Sequence, residues 1–164
     1  MIYNFNAVEV FKMAIDIEEN GRLFYERAQD RSENLEVKKI FEELGQEEVK
    51  HKARFAALMA ELPASTTHST VWDPQGELDQ YLKMMADMHV FSTSENVVQL
   101  TAKLGGSEDA LKLAIGFEKD SIVFFAEMQM FAETPEAKDK IGQLVKEEQG
   151  HLKKLALQLK KITK

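Results

Sequence analysis

Apolar positions recur at three- and four-residue spacing along most of this chain, which is the period of an amphipathic helix. Val8, Phe11, Ile15, Glu18, Arg22 and Tyr25 form one stripe of a first helix, and Ala14, Ile17, Gly21, Phe24 and Ala28 form an adjoining one. Asn6 followed by Glu9 is a capping-box pattern, so this helix is predicted to start near Asn6 and to fade near Ser32. Gly21 costs about 1 kcal/mol of helix propensity and either permits a close helix approach or is simply tolerated. Asn34 caps a second helix with the stripe Val37, Phe41, Leu44, Glu48, His51, Phe55, Leu58 and Leu62, stopped by Pro63. Ser107, after Gly105-Gly106, is read as the cap of a third long helix carrying Leu111, Ala114, Glu118, Ser121, Phe125 and Met128. Thr134-Pro135 starts a fourth, with Pro at the first helical position and the stripe Ile141, Leu144, Glu148, His151, Leu155 and Ile162.

Residues 63–106 have a different texture, with Pro63, Asp73-Pro74, Gly76 and a Ser/Thr-rich run at 65–70. About forty structureless residues do not suit a compact domain. Helices are therefore predicted near 77–91, on Leu78, Tyr81, Leu82, Met85 and Met88, and near 94–104, on Val97, Val98, Leu100 and Leu104. The cluster Met84, Met85 and Met88 reads as packing of this crossover. Short connections near 33 and 133 make two antiparallel hairpins. A crossover running the length of the bundle sets the second and third long helices parallel, so the hairpins face each other about a pseudo-two-fold axis. The expected fold is all-α: a four-helix bundle forming a single domain over 1–164, with helix pairs at about 6–62 and 107–162 and a crossover at 63–106.

The stripes contain a repeat. Leu44-Gly-Gln-Glu-Glu-Val-Lys-His51 returns as Leu144-Val-Lys-Glu-Glu-Gln-Gly-His151, an offset of 100 residues. The same offset pairs Ala14-Ile15 with Ala114-Ile115, Glu18 with Glu118 and Phe24 with Phe124. About a dozen positions are identical between 14–55 and 114–155. A lone Glu-x-x-His is usually a solvated surface pair. Two copies, each with an upstream Glu inside an apolar stripe, suggest a two-fold site.

Glu18 and Glu48 lie equally far from the turn near 33, and Glu118 and Glu148 equally far from the turn near 133. All four carboxylates therefore meet at mid-bundle when the hairpins face, with His51 and His151 one helical turn from their Glu partners on the same face. One unpaired buried charge costs several kcal/mol. Two divalent cations would neutralise four glutamates. Oxygen-rich ligands with one imidazole per ion suit iron or manganese. Glu47 and Glu147 also repeat, one residue off the seam, and read either as partners of the histidines or as a solvated face. Tyr25 reads first as core packing with a satisfied hydroxyl. His68 and His89 have no repeat partner and read as ordinary surface or core histidines. The lysines near the C-terminus suit the negative end of a helix dipole.

Composition narrows the classes. The chain has 44% hydrophobic and 30% charged residues and a net charge of −7, which argues against a nucleic-acid partner. It has no Cys, which excludes disulfides, thiol catalysis and thiolate-bound clusters. No apolar run approaches the roughly 20 residues that span a bilayer, and no signal peptide is evident, so a cytoplasmic protein with no membrane partner is expected.

Ile17-Glu-Glu-Asn-Gly-Arg-Leu-Phe-Tyr25, Glu48 with His51, Ala114-Ile-Gly-Phe-Glu-Lys-Asp-Ser-Ile-Val-Phe-Phe125, and Glu148 with His151 resemble the ferritin-like superfamily, and most closely the rubrerythrin-type diiron proteins. Di-metal carboxylate proteins of that superfamily use one Glu from each of two helices and Glu-x-x-His from each of the other two. The resemblance covers nearly all four long helices and the crossover only loosely. It implies that Glu18 and Glu118 each bind one metal, that Glu48 and Glu148 bridge the two, and that His51 and His151 bind one each. Tyr25 matches the family's tyrosine near the site. Typical rubrerythrins carry an extra carboxylate one turn after the third-helix Glu, used in redox-linked ligand movement; Ser121 stands there in this chain, which counts against peroxidase-style ligand switching. They also carry a rubredoxin domain, and with no Cys here the electrons are expected from a separate donor, rubredoxin-like or another reductase.

The implied activity is that of a non-haem diiron oxidoreductase, reducing hydrogen peroxide or oxidising Fe(II) with peroxide or dioxygen. Two iron ions are the expected cofactor, with manganese or zinc as substitutes in a purified sample. Phe24, Phe41, Phe55, Phe124 and Phe125 would limit water around them. Two rival readings use the same residues: a ferroxidase feeding iron storage, and a metal-binding bundle without turnover. A homodimer or higher homo-oligomer is expected.

Overall fold

The computed structural model describes residues 7–62, 75–132 and 134–164. Asn6, Pro63, the 65–70 run, His68 and Asp73-Pro74 lie outside the described residues. Six helices are present, with no strand among the described residues: α1 (Ala7–Arg31), α2 (Leu35–Ala60), α3 (Glu77–Asp87), α4 (Ser94–Ala102), α5 (Ser107–Met130) and α6 (Pro135–Ile162).

The predicted stripes are the faces that pack. Every apolar member of the second stripe from Val37 to Leu58 is buried, and so are all six stripe residues of α5. In α1 the adjoining stripe is buried whole, together with Val10, Phe11, Glu18, Asn20 and Tyr25. Val8 and Ile15 are only half-buried, and Arg22 turns outward to Glu19 and Glu26. The axis of burial in α1 is thus rotated from the first stripe towards the second.

Helix ends follow local chemistry. Asn34 Oδ1 accepts hydrogen bonds from the backbone N–H of Glu36 and Val37, at 2.9 and 3.1 Å. Thr134 caps α6 through the N–H of Ala137, with Pro135 opening the helix. The cap expected from Ser107 is not formed. Gly106 holds the cap position with φ +136°, a left-handed backbone that favours glycine, and Ser107 is the first helical residue. The Ser107 N–H donates to the Glu33 carboxylate instead, and Ser107 Oγ accepts from Asn34 N–H at 3.1 Å. The turn between α1 and α2 thereby caps α5 from outside, because the crossover delivers the start of α5 to that end of the bundle.

This contact also sets direction. α2 and α5 both begin at the same end and run parallel, while α1 pairs with α2, and α5 with α6, as antiparallel hairpins. α2 and α6 are antiparallel, with Lys161 against Glu36, Lys154 against Glu43 and Lys140 against Glu61. Each hairpin carries the same internal staple near its turn: Gln29 Nε2 points to the Lys38 carbonyl at 3.5 Å, and Gln129 Nε2 donates to the Lys138 carbonyl at 3.0 Å.

The crossover helices are shorter than predicted, ending at Asp87 and Ala102. Leu82 in α3 and Val97 in α4 are their buried anchors, with buried Phe91 between the two helices. Met85 packs on the core, but Met84 and Met88 are exposed, so the methionine cluster is not packing as a unit. The reason is that Met84 lies on the face of α3 opposite buried Leu82, and Met88, expected on the apolar stripe, follows the last residue of the helix. Asn20 Nδ2 donates to the Phe91 carbonyl at 3.0 Å and ties the crossover to α1.

Gly21 does mark a close approach. A Cβ at that position would overlap the Phe117 ring, which is itself held by Tyr25, His89 and Phe91. Gly116 faces open space. Gly21→Ala is therefore expected to destabilise the protein by about 1–3 kcal/mol despite its gain in helix propensity, whereas Gly116→Ala should be neutral or stabilising by up to about 1 kcal/mol. Urea midpoints of the two variants measure this; equal midpoints would remove the packing argument.

Candidate metal centre

The six Glu and His residues of the stripes converge. Glu18 from α1, Glu48 and His51 from α2, Glu118 from α5 and Glu148 from α6 are buried, and the His151 side chain from α6 is 11% exposed. They form two sets whose ligand atoms all lie within 4.8 Å of one another: Glu18, Glu48, His51 and Glu148, and Glu48, Glu118, Glu148 and His151. Glu48 and Glu148 belong to both sets, so the arrangement has two ends and a shared middle. Each hairpin supplies three members of its own set and one of the other.

Both histidines turn Nδ1 inward. His51 Nδ1 is 3.6 Å from Glu18 Oε2 and 2.6 Å from Glu148 Oε1. His151 Nδ1 is 2.9 Å from Glu148 Oε2, 3.7 Å from Glu118 Oε1 and 3.9 Å from Glu48 Oε1. The rings stack at 5.4 Å between centroids and 14° between planes. Tyr25 donates its hydroxyl to Glu118 Oε1. Tyr25 is thus both a core residue and a direct neighbour of the cluster.

The electrostatics are those of charges removed from water. Burial raises Glu18, and raises Glu48 well above the usual carboxylate range, with Glu18 and Glu148 adding repulsion to Glu48. Burial and then Glu148 push Glu118 up to about 8. Burial opposes the charge on the imidazoles, but Glu148 with Glu18 outweighs it and drives His51 up to about 11. Against the same opposition, Glu118 with Glu148 drives His151 up to about 9. Burial would also raise Glu148, yet the two imidazoles hold it well below the ordinary range. Burial and the facing Glu118 push Tyr25 well above its usual value, so its hydroxyl stays a donor.

Whether a cation suits this cluster can be tested on its unused atoms. Both oxygens of Glu18, both of Glu48, Glu118 Oε2, Glu148 Oε1 and His51 Nδ1 are buried without a hydrogen-bond partner. The 2.6 Å approach of His51 Nδ1 to Glu148 Oε1 is thus a close contact and not a directed hydrogen bond. Native proteins rarely leave such groups unsatisfied, and each costs roughly 1–3 kcal/mol or more when charged. All of these atoms point into one space. The donors are oxygens with one imidazole at each end, and no thiolate exists in the chain, so the set fits iron.

A third acidic group, Glu47, His51 and Glu147, lies on the outer side of His51. Its carboxylates already pair with cations: Glu147 with Arg54 at 2.7 Å and Glu47 with Lys50 at 2.6 Å. Of the two repeated acids beside the ligands, only Glu147 serves a histidine, meeting His51 Nε2 at 2.9 Å. Glu47 takes the solvated alternative.

Two contacts of the crossover had no signal in the stripes. Ser121, where an extra carboxylate was absent, is buried and lies 3.1 Å from His89 Nε2. His89 Nδ1 accepts from the Phe91 N–H, which leaves the proton on Nε2 and makes His89 the donor to Ser121. Burial lowers His89 to about 4, against a small opposing effect of Asp120, so it is a neutral core histidine. Phe91 and Phe117 stack at 5.1 Å beside it and complete the aromatic wall.

These shifts carry a signed expectation for protein stripped of divalent ions. Groups raised in the folded chain bind protons more tightly there than when unfolded, so the stability they lend is lost as pH rises. For Glu118 the window runs from 4.5 to about 8, and for His151 from 6.5 to about 9. Glu148 acts oppositely only below its ordinary range, and His89, lowered to about 4, only up to 6.5, where the three raised carboxylates Glu18, Glu48 and Glu118 outnumber it. The urea midpoint in chelator should therefore fall between about pH 5 and about pH 9, and a divalent ion should restore it at the alkaline end with release of protons. A flat profile in chelator would contradict the assigned electrostatics.

Comparison with known proteins agrees with this geometry. The chain is similar in fold to a crystal structure from Thermotoga maritima described as a candidate ferritin-like diiron-carboxylate protein, with 23% identity, a TM-score of 0.73 and 98% of each chain covered. No curated protein matches the chain. The family profile described as Rubrerythrin matches residues 9–159. With a match over nearly its whole length and all six Glu and His stripe residues gathered inside a ferritin-like bundle, the chain belongs to the rubrerythrin family.

Proposed function

We propose that this protein is a non-haem diiron oxidoreductase that reduces hydrogen peroxide, or oxidises Fe(II) with peroxide or dioxygen, in the cluster at mid-bundle. The single observation that carries this reading is the inward-facing set of unpartnered atoms on Glu18, Glu48, Glu118, Glu148 and His51. Glu18 with His51 would hold one iron and Glu118 with His151 the other, with Glu48 and Glu148 shared. Two ferrous ions held by these residues would supply the two electrons that, with two protons, convert one hydrogen peroxide to two waters.

The chain's own groups do the rest. The two Glu-x-x-His pairs hold their donors on rigid helices, so little reorganisation is needed when the redox state changes. Tyr25 keeps its proton and directs it at Glu118 Oε1, fixing that carboxylate. Phe24 and Phe41 pack against Tyr25 at ring distances of 5.2 and 5.6 Å, and Phe55 packs on Phe125 at 4.8 Å. These rings exclude water from the buried donors and so strengthen every interaction among them. The 11% exposure of His151 supports entry of a small oxidant from the α6 side. Electrons would arrive from outside the cluster, from a rubredoxin-like donor or another reductase.

The test is metal analysis of protein reconstituted with Fe(II) under anaerobic conditions, followed by optical spectra after adding peroxide or dioxygen. Glu48→Ala and His151→Ala are each expected to drop iron content to roughly half or less of wild type and to remove the spectral change with it. Full iron occupancy in either variant would overturn the ligand assignment. An iron-loaded protein with no response to either oxidant would favour a non-catalytic bundle. Light scattering showing a large hollow shell would favour iron storage over turnover.

A further inference from the structure

The repeat is two-fold in its six metal-facing residues and asymmetric immediately around them. On one side, His51 Nε2 meets Glu147 Oε2 at 2.9 Å, and Arg54 Nη1 clamps both oxygens of Glu147 at 2.8 and 2.7 Å. The same offset of 100 maps Glu147 onto Glu47 and Arg54 onto Lys154. Neither repeats the contact. Glu47 bonds Lys50 at 2.6 Å, and Lys154 bonds Glu43 at 2.9 Å. Among the described residues no hydrogen bond is made by His151 Nε2, and the His151 side chain is 11% exposed where that of His51 is fully buried.

A second asymmetry is independent of the first. Tyr25 donates to Glu118 Oε1, but its repeat mate is Phe125, which has no hydroxyl to offer Glu18. Both oxygens of Glu18 remain unpartnered, whereas Glu118 has only Oε2 left so.

The chemistry of both differences points one way. A carboxylate on the outer nitrogen of an imidazole keeps the proton there, frees the inner nitrogen's lone pair for a cation, and makes it a stronger donor; losing such a partner typically costs about 10–100-fold in metal affinity. A hydroxyl donated to a carboxylate oxygen occupies a lone pair of that atom, so Glu118 offers an ion one unpartnered oxygen where Glu18 offers two. We propose that the two metal positions are unequal: the ion between Glu18 and His51 is held tightly, the ion between Glu118 and His151 is the exchangeable one, and Glu147, clamped by Arg54, is the positioning residue that creates the difference through His51. This rests on the dinuclear reading above.

Co(II) is a suitable probe, because its visible absorbance reports coordination without turnover. The wild-type chain should take up Co(II) in two steps of unequal affinity. His151→Ala and His51→Ala each leave one intact position, and Glu147→Gln is then added to each. In the His151→Ala background Glu147→Gln should weaken Co(II) binding by about tenfold or more and shift the absorbance; in the His51→Ala background it should change neither. Glu43→Gln, whose carboxylate pairs with Lys154 at the surface, should leave both positions unchanged. If a histidine variant does not fold, the comparison is made with the wild-type ligands, where Glu147→Gln must weaken the tighter step and leave the weaker one in place. Two equal steps in wild type, or a Glu147→Gln effect equal on both positions or absent, would overturn the inference alone. A wild-type chain that takes up no Co(II) would overturn the dinuclear reading beneath it.

Discussion

Removing four carboxylates and two imidazoles from water is the constraint to which the rest of this bundle answers. Glu18, Glu48, Glu118 and Glu148 are almost wholly inaccessible to solvent, and apolar neighbours cannot compensate them. Protons offer partial relief, which is why three of the carboxylates and both histidines favour their protonated forms. Cations relieve the whole set at once. A packing arrangement chosen only for stability would place leucines on these stripes. The protein instead keeps a strained centre and surrounds it with aromatic rings, a trade of stability for chemistry that functional sites commonly make.

The crossover is part of that surround. Phe91 packs between Phe24 and Phe117 at 4.6 and 5.1 Å, and its backbone is held by Asn20 on one side and His89 on the other. His89 in turn reaches Ser121 on the buried face of α5, one turn beyond Glu118. A buried polar pair thus occupies the position where typical rubrerythrins place an additional acid. Its hydrogen bonds are satisfied within the core, so it adds order and no charge next to the cluster.

How much of this could be read along the chain depends on whether a feature is periodic. Val37 through Leu58, Leu111 through Met128 and the Glu and His positions among them repeat at helical spacing and at one offset, so burial, depth and convergence all followed. The phase of α1 was harder, because two stripes overlap there and tertiary packing chose the one containing Gly21. The Ser107 cap failed for a related reason: a serine after two glycines satisfies the local pattern, but Glu33 arrives from a distant turn and takes the N–H. The partners Asn20–Phe91, His89–Ser121 and Glu147–His51 join elements far apart in sequence. No spacing rule links them, and only the choice between a histidine partner and a solvated face could be posed for Glu147 beforehand.

The glutamine staples near the two turns have a bearing on how the molecule assembles. Gln29 and Gln129 close each hairpin through contacts only nine residues apart, and most helix pairing is likewise within a hairpin. Local closures of this kind form early and at little entropic cost. Neither hairpin, however, owns a complete set of donors, since each end of the cluster borrows its fourth member from the opposite half. A cation seated on either set of donors would therefore need both hairpins docked and would join one half of the chain to the other.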